Sequence, residues 1–228
     1  MLCGTNMTDI KISNRSAILR LLHEAGAMSR KQIAARLKLT PATITVIINE
    51  LMNESILVEG NSVPNAGAVG RREVMVEISR EKYVALGLAL SQGLVKFTVV
   101  NLHGEIIHEE TFKLPEILTP EYFAETIGRQ IQLKIASYGY SENFIIGIGI
   151  TVCGVVDFAN GIILDSDGIW EEKNVPIVKM FRKQFSFPVI AANNVRSYAN
   201  AYAFLQMTPN CRICCLYVTR QPWGSRSF

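Results

Sequence analysis

Four cationic side chains stand close together in a stretch of this sequence that contains no acidic residue. Between residues 25 and 49 they are Arg30, Lys31, Arg36 and Lys38. Cations at this density can neutralise the phosphates of a nucleic acid. Residues 1–82 hold 11 Lys and Arg against 8 Asp and Glu, whereas residues 83–228 hold 12 of each. The excess is small, so charge alone leaves open the alternative of a solvated basic face.

Two short helices joined by a tight turn would position these cations. Ser29 is placed as the N-cap of a helix over residues 30–37. Thr40 caps a second helix, in which Pro41 occupies the first position, where its missing N–H costs nothing. The second helix has apolar residues at the spacing of a buried face, namely Ile44, Ile47, Ile48 and Leu51.

The opposite face of the second helix carries small or hydrogen-bonding side chains. Ala42, Val46 and Asn49 lie on it, flanked by Thr43 and Thr45. Such a face can enter a major groove and contact base edges and thymine methyl groups. We therefore expect phosphate contacts from the four cations and base contacts from the helix that begins after Thr40.

A β-hairpin is predicted after the helix pair. Residues 56–59 and 73–78 form strand patterns on either side of a loop rich in Gly, Asn and Pro, and the loop ends in Gly70-Arg71-Arg72. A further helix over residues 15–24, capped by Asn14, precedes the pair and turns Ile18, Leu19, Leu22 and Ala25 inward. This order is that of a winged helix, in which Arg71 or Arg72 could contact the DNA backbone or minor groove. A solvated turn is the alternative for the two arginines.

The pattern changes to α/β after a short junction at residues 80–83. Strand-like runs at 84–90, 95–100 and 105–112 indicate an antiparallel meander. Thr119 is placed as the cap of a helix over 120–138, and one stripe of that helix holds Phe123, Ile127, Ile131 and Ile135. A buried strand over 143–152, a helix over 176–185, a strand over 188–191 and a helix over 195–205 follow, which favours a mixed sheet. His103 and His108 are interpreted as a turn residue and an exposed strand residue, not as metal ligands.

Composition excludes other classes. The chain has no run of about 18 apolar residues, so no membrane span is expected, and its N-terminus lacks the apolar core of a signal peptide. The five cysteines suit a reducing cytoplasm. Cys211 and Cys214 form an isolated C-x-x-C, for which a zinc site is not expected.

Residues 15–207 resemble the ROK family, which groups sugar-responsive repressors of the xylose and N-acetylglucosamine type with sugar kinases. The matching pieces are Thr40-Pro-Ala-Thr-Ile-Thr45, Gly70-Arg-Arg72, the strand pair from Leu86 to Ile107, Gly147-Ile-Gly-Ile-Thr-Val-Cys-Gly154, Val156-Asp157, and Phe187-Pro-Val189 leading to Asn193-Asn194. The resemblance implies an N-terminal winged helix followed by a lobe of the actin-like, ribonuclease-H-like ATPase fold. It also implies a double-stranded DNA operator, a sugar or sugar phosphate effector and a homodimer as partners.

The chain departs from the kinases of that family at two positions that carry phosphoryl-transfer chemistry. Where the kinases have the acid of a phosphate-binding turn, this chain has Ala89, and where they have the acid that takes the sugar hydroxyl proton, it has Asn194. An amide cannot act as that base, so we expect a protein that is not an enzyme. Asn193 and Asn194 can still bind sugar hydroxyls, as can the loop at 165–170 with Asp167 and with Trp170 as an apolar wall. A surface turn is the alternative for that loop.

The end of the chain also departs from the family, which would continue into a second lobe that carries a structural zinc. Here residues 220–228 continue no strand or helix pattern, and we interpret them as an aberrant tail. The expected organisation is an extension over 1–14, a winged helix over 15–80, the first lobe of a sugar-sensing domain over 81–219, and that tail. No cofactor is expected, since the zinc belongs to the missing lobe. The alternatives are a sugar kinase with an appended domain, which needs an acid at Asn194 or Ala89, and a defective fragment.

Overall fold

The computed structural model describes residues 7–60, 73–115 and 119–206. The chain divides into two compact units between Lys82 and Tyr83, within the junction expected from the sequence. The described residues of the first unit form three helices and three short strands: α1 (Met7–Ala25), β1 (Met28–Ser29), α2 (Arg30–Leu37), α3 (Pro41–Asn53), β2 (Leu57–Glu59) and β3 (Met75–Ile78). The strands form one antiparallel sheet in the order β1-β3-β2.

The first unit is a winged helix, because two helices joined by a tight turn are followed by the antiparallel pair β2–β3. Its core includes Ile18, Leu22 and the four apolar residues of α3 that the helical spacing predicted, all of which are buried. Ile33 of α2 is buried with them. Gly26 ends α1 with a positive φ of 76°, and its N–H donates to Leu22 O at 3.0 Å. This left-handed geometry favours glycine, as expected for a helix stop.

The first helix differs from the prediction at both ends. It begins at Met7 rather than after Asn14, so Asn14 lies inside the helix and does not cap it. The added turns are anchored on α3, because Lys11 Nζ lies 2.8 Å from Glu50 Oε1. In the predicted part of the helix, Arg15 Nη1 donates to Glu54, the residue after α3, at 2.9 Å. The Arg15 guanidinium also holds the pKa of Glu54 below its ordinary value. Ala25, which was expected to face inward, is exposed at the end of the helix.

In the part of the second unit that the structure describes, five strands form a mixed sheet in the order β10-β7-β4-β5-β6. The elements of this unit are β4 (Val84–Ser91), β5 (Leu94–Asn101), β6 (Ile106–Lys113), α4 (Pro120–Ser137), a 3₁₀ turn (Glu142–Phe144), β7 (Ile145–Val152), β8 (Val155–Asp157), β9 (Ile162–Asp165), α5 (Ile177–Arg182), β10 (Val189–Asn193) and α6 (Asn194–Gln206). The meander β4–β5–β6 is antiparallel, and β4, β7 and β10 are parallel to one another. The predicted mixed sheet is therefore confirmed.

The core of the second unit lies between one face of this sheet and helices α4 and α5. Thr119 caps α4 by accepting a hydrogen bond from Tyr122 N, and the predicted stripe of Phe123, Ile127, Ile131 and Ile135 is buried. The helix α5 is shorter than predicted. It ends at Arg182, because the following residues form a tight turn in which Gln184 N donates to Phe181 O.

His108 is not the exposed strand residue expected from the sequence. Its ring stacks on Tyr138 at a centroid distance of 3.7 Å, and Tyr140 meets it edge-on. The Tyr138 hydroxyl donates to Glu110 at 2.8 Å. Burial, together with this bond, raises the pKa of Tyr138 to about 12. The sequence did not predict this cluster because the end of α4 lies far along the chain from β6.

Candidate nucleic-acid interface and strand-end site

The start of α2 and the start of α3 are both fixed by capping side chains, as predicted. Ser29 Oγ accepts from Gln32 N at 3.3 Å, while Gln32 Oε1 accepts from Ser29 N at 2.9 Å, which completes a capping box. Thr40 Oγ1 accepts from Thr43 N at 3.2 Å, and Pro41 follows at the first helical position. Between the helices, Lys38 turns the chain with a left-handed φ of 54°.

The outer face of α3 carries the small and hydrogen-bonding side chains that the sequence placed there. Its buried side holds the helix on the core, and Ala42, Thr45, Val46 and Asn49 are exposed on the other side. The Thr45 hydroxyl donates to Pro41 O at 2.8 Å, and the Thr40 and Thr43 hydroxyl oxygens lie 2.8 Å apart. The hydroxyl proton of Thr45 is thus used within the helix, which leaves its oxygen as an acceptor for a partner.

The predicted phosphate-contacting cations divide into two groups. The Lys31 side chain is 86% exposed, with Glu73 only at 4.0 Å, and Arg36 and Lys38 are exposed too. The Arg30 side chain is 30% exposed, and its Nη2 lies 3.4 Å from Asn49 Oδ1. The Arg30 guanidinium packs against α3, which separates it from the three exposed cations. Its contact with phosphate stays a prediction from the sequence.

The two wing arginines, Arg71 and Arg72, lie outside the described residues, as do the cysteines at 211, 214 and 215 and the tail at 220–228. Within the described ranges, no three His, Cys, Asp or Glu side chains are grouped so that they could hold a metal ion. In the same part of the chain no helix is both long and apolar enough to cross a membrane.

A second candidate site lies where the parallel strands β4, β7 and β10 end. Asn193 closes β10 and Asn194 opens α6. Asn193 Oδ1 accepts from Arg196 N at 2.8 Å, so it caps α6, and its Nδ2 donates to Gly154 O at 3.4 Å. Asn194 Nδ2 lies 3.0 Å from Cys153 Sγ. The two predicted amides therefore connect the end of β10 to the chain that leaves β7.

The loop at residues 165–170 joins the same site through backbone contact. The backbone of Gly154, with a φ of +139°, packs closely on this loop, since a Cβ on Gly154 would lie only 2.0 Å from Asp165 O. Gly168 lies near Gln92, in the turn after β4, since a Cβ on Gly168 would lie 3.5 Å from Gln92 Nε2. We call this group the strand-end site; its members are Gln92, Cys153, Gly154, Asp165, Asp167, Gly168, Asn193 and Asn194. Carboxyl ends of parallel strands are common positions for ligands in α/β folds.

Two features of the strand-end site and of the loop at 165–170 differ from expectation. Trp170 was expected to offer an open apolar wall, but its side chain lies in the core at 8% exposure, with its ring centroid 5.5 Å from that of Phe123. Asp167 is exposed, and its role as a sugar ligand stays a prediction. The sequence did not identify Cys153 and Gln92 as neighbours of Asn194 and Gly168, although their places directly after β7 and β4 are a signal for this edge of the sheet.

We predict that Gly154→Ala lowers the free energy of unfolding of the second unit by about 2 kcal/mol or more, because the added Cβ would meet backbone and the φ is left-handed. Gly149→Ala is the matched control, since a Cβ there meets nothing within 4 Å. Chemical denaturation of both variants is the measurement. Equal stability would show that Gly154 is not held by the loop at 165–170.

Comparison with known proteins assigns both units. The model of the ROK family matches residues 86–220, and a model described as winged helix-turn-helix DNA-binding matches residues 13–58. The DNA-binding transcriptional dual regulator NagC of Escherichia coli is 27% identical over 206 residues, which cover 90% of this chain and 50% of NagC. The xylose repressor of Caldicellulosiruptor bescii is 25% identical over 195 residues, which cover 85% of this chain and 48% of the repressor.

A solved structure supports the same assignment. The crystal structure of a ROK family transcriptional regulator, described as a homolog of the E. coli MLC protein, superposes with a TM-score of 0.69 at 25% identity. The alignment covers 86% of this chain and 48% of that chain. This chain spans about half the length of the curated relatives it matches. It consists of an N-terminal winged helix and an actin-like α/β lobe.

Proposed function

This chain belongs to the ROK family, and we propose that it acts as a DNA-binding transcriptional repressor of carbohydrate-utilisation genes whose affinity for its operator responds to a sugar. The observation that carries the proposal is the pairing of an exposed, uncharged α3 face with exposed cations on α2 and the following turn. A solvated helix of an ordinary domain would carry Lys and Glu on that face.

DNA binding in this proposal has two components. Lys31, Arg36 and Lys38 neutralise phosphates and fix the register of the domain on the duplex. Thr43, Thr45 and Asn49 contact base edges from α3 in the major groove. Contact by Arg71 and Arg72 stays a prediction from the sequence, because both residues lie outside the described ranges. A homodimer would place two such domains on two half-sites. We propose a cytoplasmic location for this DNA-binding role.

The strand-end site is our candidate for the sugar effector. Exposed Asp167, half-buried Asn193 and half-buried Asn194 offer amide and carboxylate groups of the kind that bind sugar hydroxyls. Lys173 Nζ lies 3.0 Å from Asp165 Oδ2, and its hydrogen bond and charge hold the pKa of the Asp165 carboxyl below its ordinary value. The names of two relatives refer to xylose and N-acetylglucosamine, which makes a pentose or an amino sugar the first effectors to test.

The proposal is tested by selection of bound duplexes from a random-sequence library with the 228-residue chain, followed by titration of the recovered duplex with a panel of sugars. We expect the recovered duplexes to share a motif, and one sugar to weaken binding. Recovery without a shared motif would reject sequence-specific recognition. A shared motif without any effect of sugar would reject the effector part alone.

We also predict that the protein does not phosphorylate sugars. Ala89 and Asn194 stand where a kinase of this family would need carboxylates, and Asn194 Nδ2 is engaged with Cys153 Sγ. An amide cannot accept the hydroxyl proton in phosphoryl transfer. Transfer of phosphate from ATP to hexoses and pentoses is the assay, and we expect no turnover above background. Turnover that Asn194→Ala abolishes would contradict this prediction.

A further inference from the structure

The Arg30 guanidinium connects three elements of the winged helix. It belongs to the first turn of α2, and its Nη2 lies 3.4 Å from Asn49 Oδ1 and 3.6 Å from Met52 Sδ, both on α3. The same nitrogen lies 3.7 Å from a carboxylate oxygen of Glu59, on the first wing strand. Its Nε is buried and has no partner among the described atoms. These contacts leave the guanidinium poorly placed to neutralise a DNA phosphate.

The contact with Arg30 fixes how the Asn49 amide faces its surroundings. A guanidinium has only donors, so the amide must turn its oxygen toward Arg30. The amide nitrogen, with two N–H donors, is then free for a partner on the exposed side of α3. Bidentate recognition of adenine needs both ends of an asparagine amide, because adenine presents N7 as an acceptor and N6–H as a donor. Guanine presents two acceptors, N7 and O6, in the major groove.

We propose that Arg30 is a positioning residue that holds the Asn49 amide with its N–H donors toward the major groove, so that the chain prefers guanine at the base pair contacted by Asn49. This inference rests on the proposed function, since it requires that α3 enters the major groove. It replaces the expectation that Arg30 contacts phosphate.

The test uses the 228-residue chain and the duplex recovered from the random-sequence library, with each base pair replaced in turn. We expect the wild type to prefer guanine at one position at which Asn49→Ala loses the preference. Arg30→Met, which keeps a long apolar side chain, should lower that preference roughly tenfold, and it should leave the dependence of affinity on salt unchanged. In the Asn49→Ala background, Arg30→Met should have no further effect on base preference.

Arg36→Met is the matched control, because Arg36 lies on the same helix and is exposed. It should lower the log–log salt slope by about one and leave base preference unchanged. The same behaviour from Arg30→Met would show that Arg30 contacts phosphate and would overturn the proposal. A preference for adenine at the base pair where Asn49→Ala removes the base preference would also overturn the proposal.

If Arg30→Met does not fold, as judged by thermal melting, Arg30→Gln takes its place. Its base preference and its salt slope are then the two readouts. Failure of the wild type to select any motif would instead reject the proposed function, and this inference with it.

Discussion

Reversal of two charges, Lys31→Glu with Lys38→Glu, should weaken binding of the chain to any duplex by roughly a hundredfold at about 50 mM salt. Each lost phosphate contact removes about one unit of log–log salt slope, so the slope should fall by about two. The structure favours these two lysines because Lys31 is almost fully exposed, and Lys38 projects from the turn between α2 and α3. Neither change touches the buried core of the first unit.

The control for this charge reversal is Lys179→Glu with Lys183→Glu. Both lysines are exposed and lie in the second unit, so the control alters the net charge equally and leaves the first unit unchanged. We expect its affinity to stay within a few-fold of the wild type at the same salt concentration. An equal loss in both variants would show that overall charge, rather than the surface formed by α2 and α3, is responsible for binding.

Phe123→Ala should lower the free energy of unfolding of the second unit by about 3–5 kcal/mol. The Phe123 ring is fully buried and contacts both Trp170 and Phe181, so it connects α4 to the loop at 165–170 and to α5. Its removal leaves a cavity at the centre of this group and exposes part of the Trp170 indole. Denaturation should report the loss of stability, and tryptophan fluorescence should shift to the red.

A background substitution and a control variant make this measurement specific. The chain has two tryptophans, so a Trp223→Phe background assigns the fluorescence to Trp170. Leu133→Ala, on the same helix but at a side chain that is 58% exposed, should change stability by no more than about 0.5 kcal/mol. A loss of stability at Leu133 as large as that at Phe123 would contradict the assignment of the core to the inner face of α4.

Features set by neighbouring residues could be predicted from the sequence. The caps at Ser29, Thr40 and Thr119 and the buried stripe of α4 were correct, since caps and amphipathic spacing depend on residues within one or two turns. The strand β1 was not predicted, because a strand of two residues exists only through its pairing with β3, nearly fifty positions away.

The orientation of individual site residues could not be predicted for the same reason. The burial of Trp170 depends on Phe123 of another element, and the direction of Arg30 depends on Asn49 and Glu59. The residue types that favour DNA contact were visible in the sequence, whereas the difference in exposure between Arg30 and Lys31 depends on the packing of α2 on α3. Periodicity indicates which face is buried and does not indicate which distant side chain a polar group meets.

The central claim is that the first unit binds double-stranded DNA through the surface formed by α2 and α3. Its most direct test is the affinity of the 228-residue chain for a random-sequence duplex, measured by fluorescence anisotropy over a range of salt concentrations. We predict that the logarithm of the association constant falls linearly with the logarithm of the salt concentration, and that the slope is lowered by about two in the variant with Lys31→Glu and Lys38→Glu. Absence of binding at about 50 mM salt, or a slope that this variant leaves unchanged, would contradict the account.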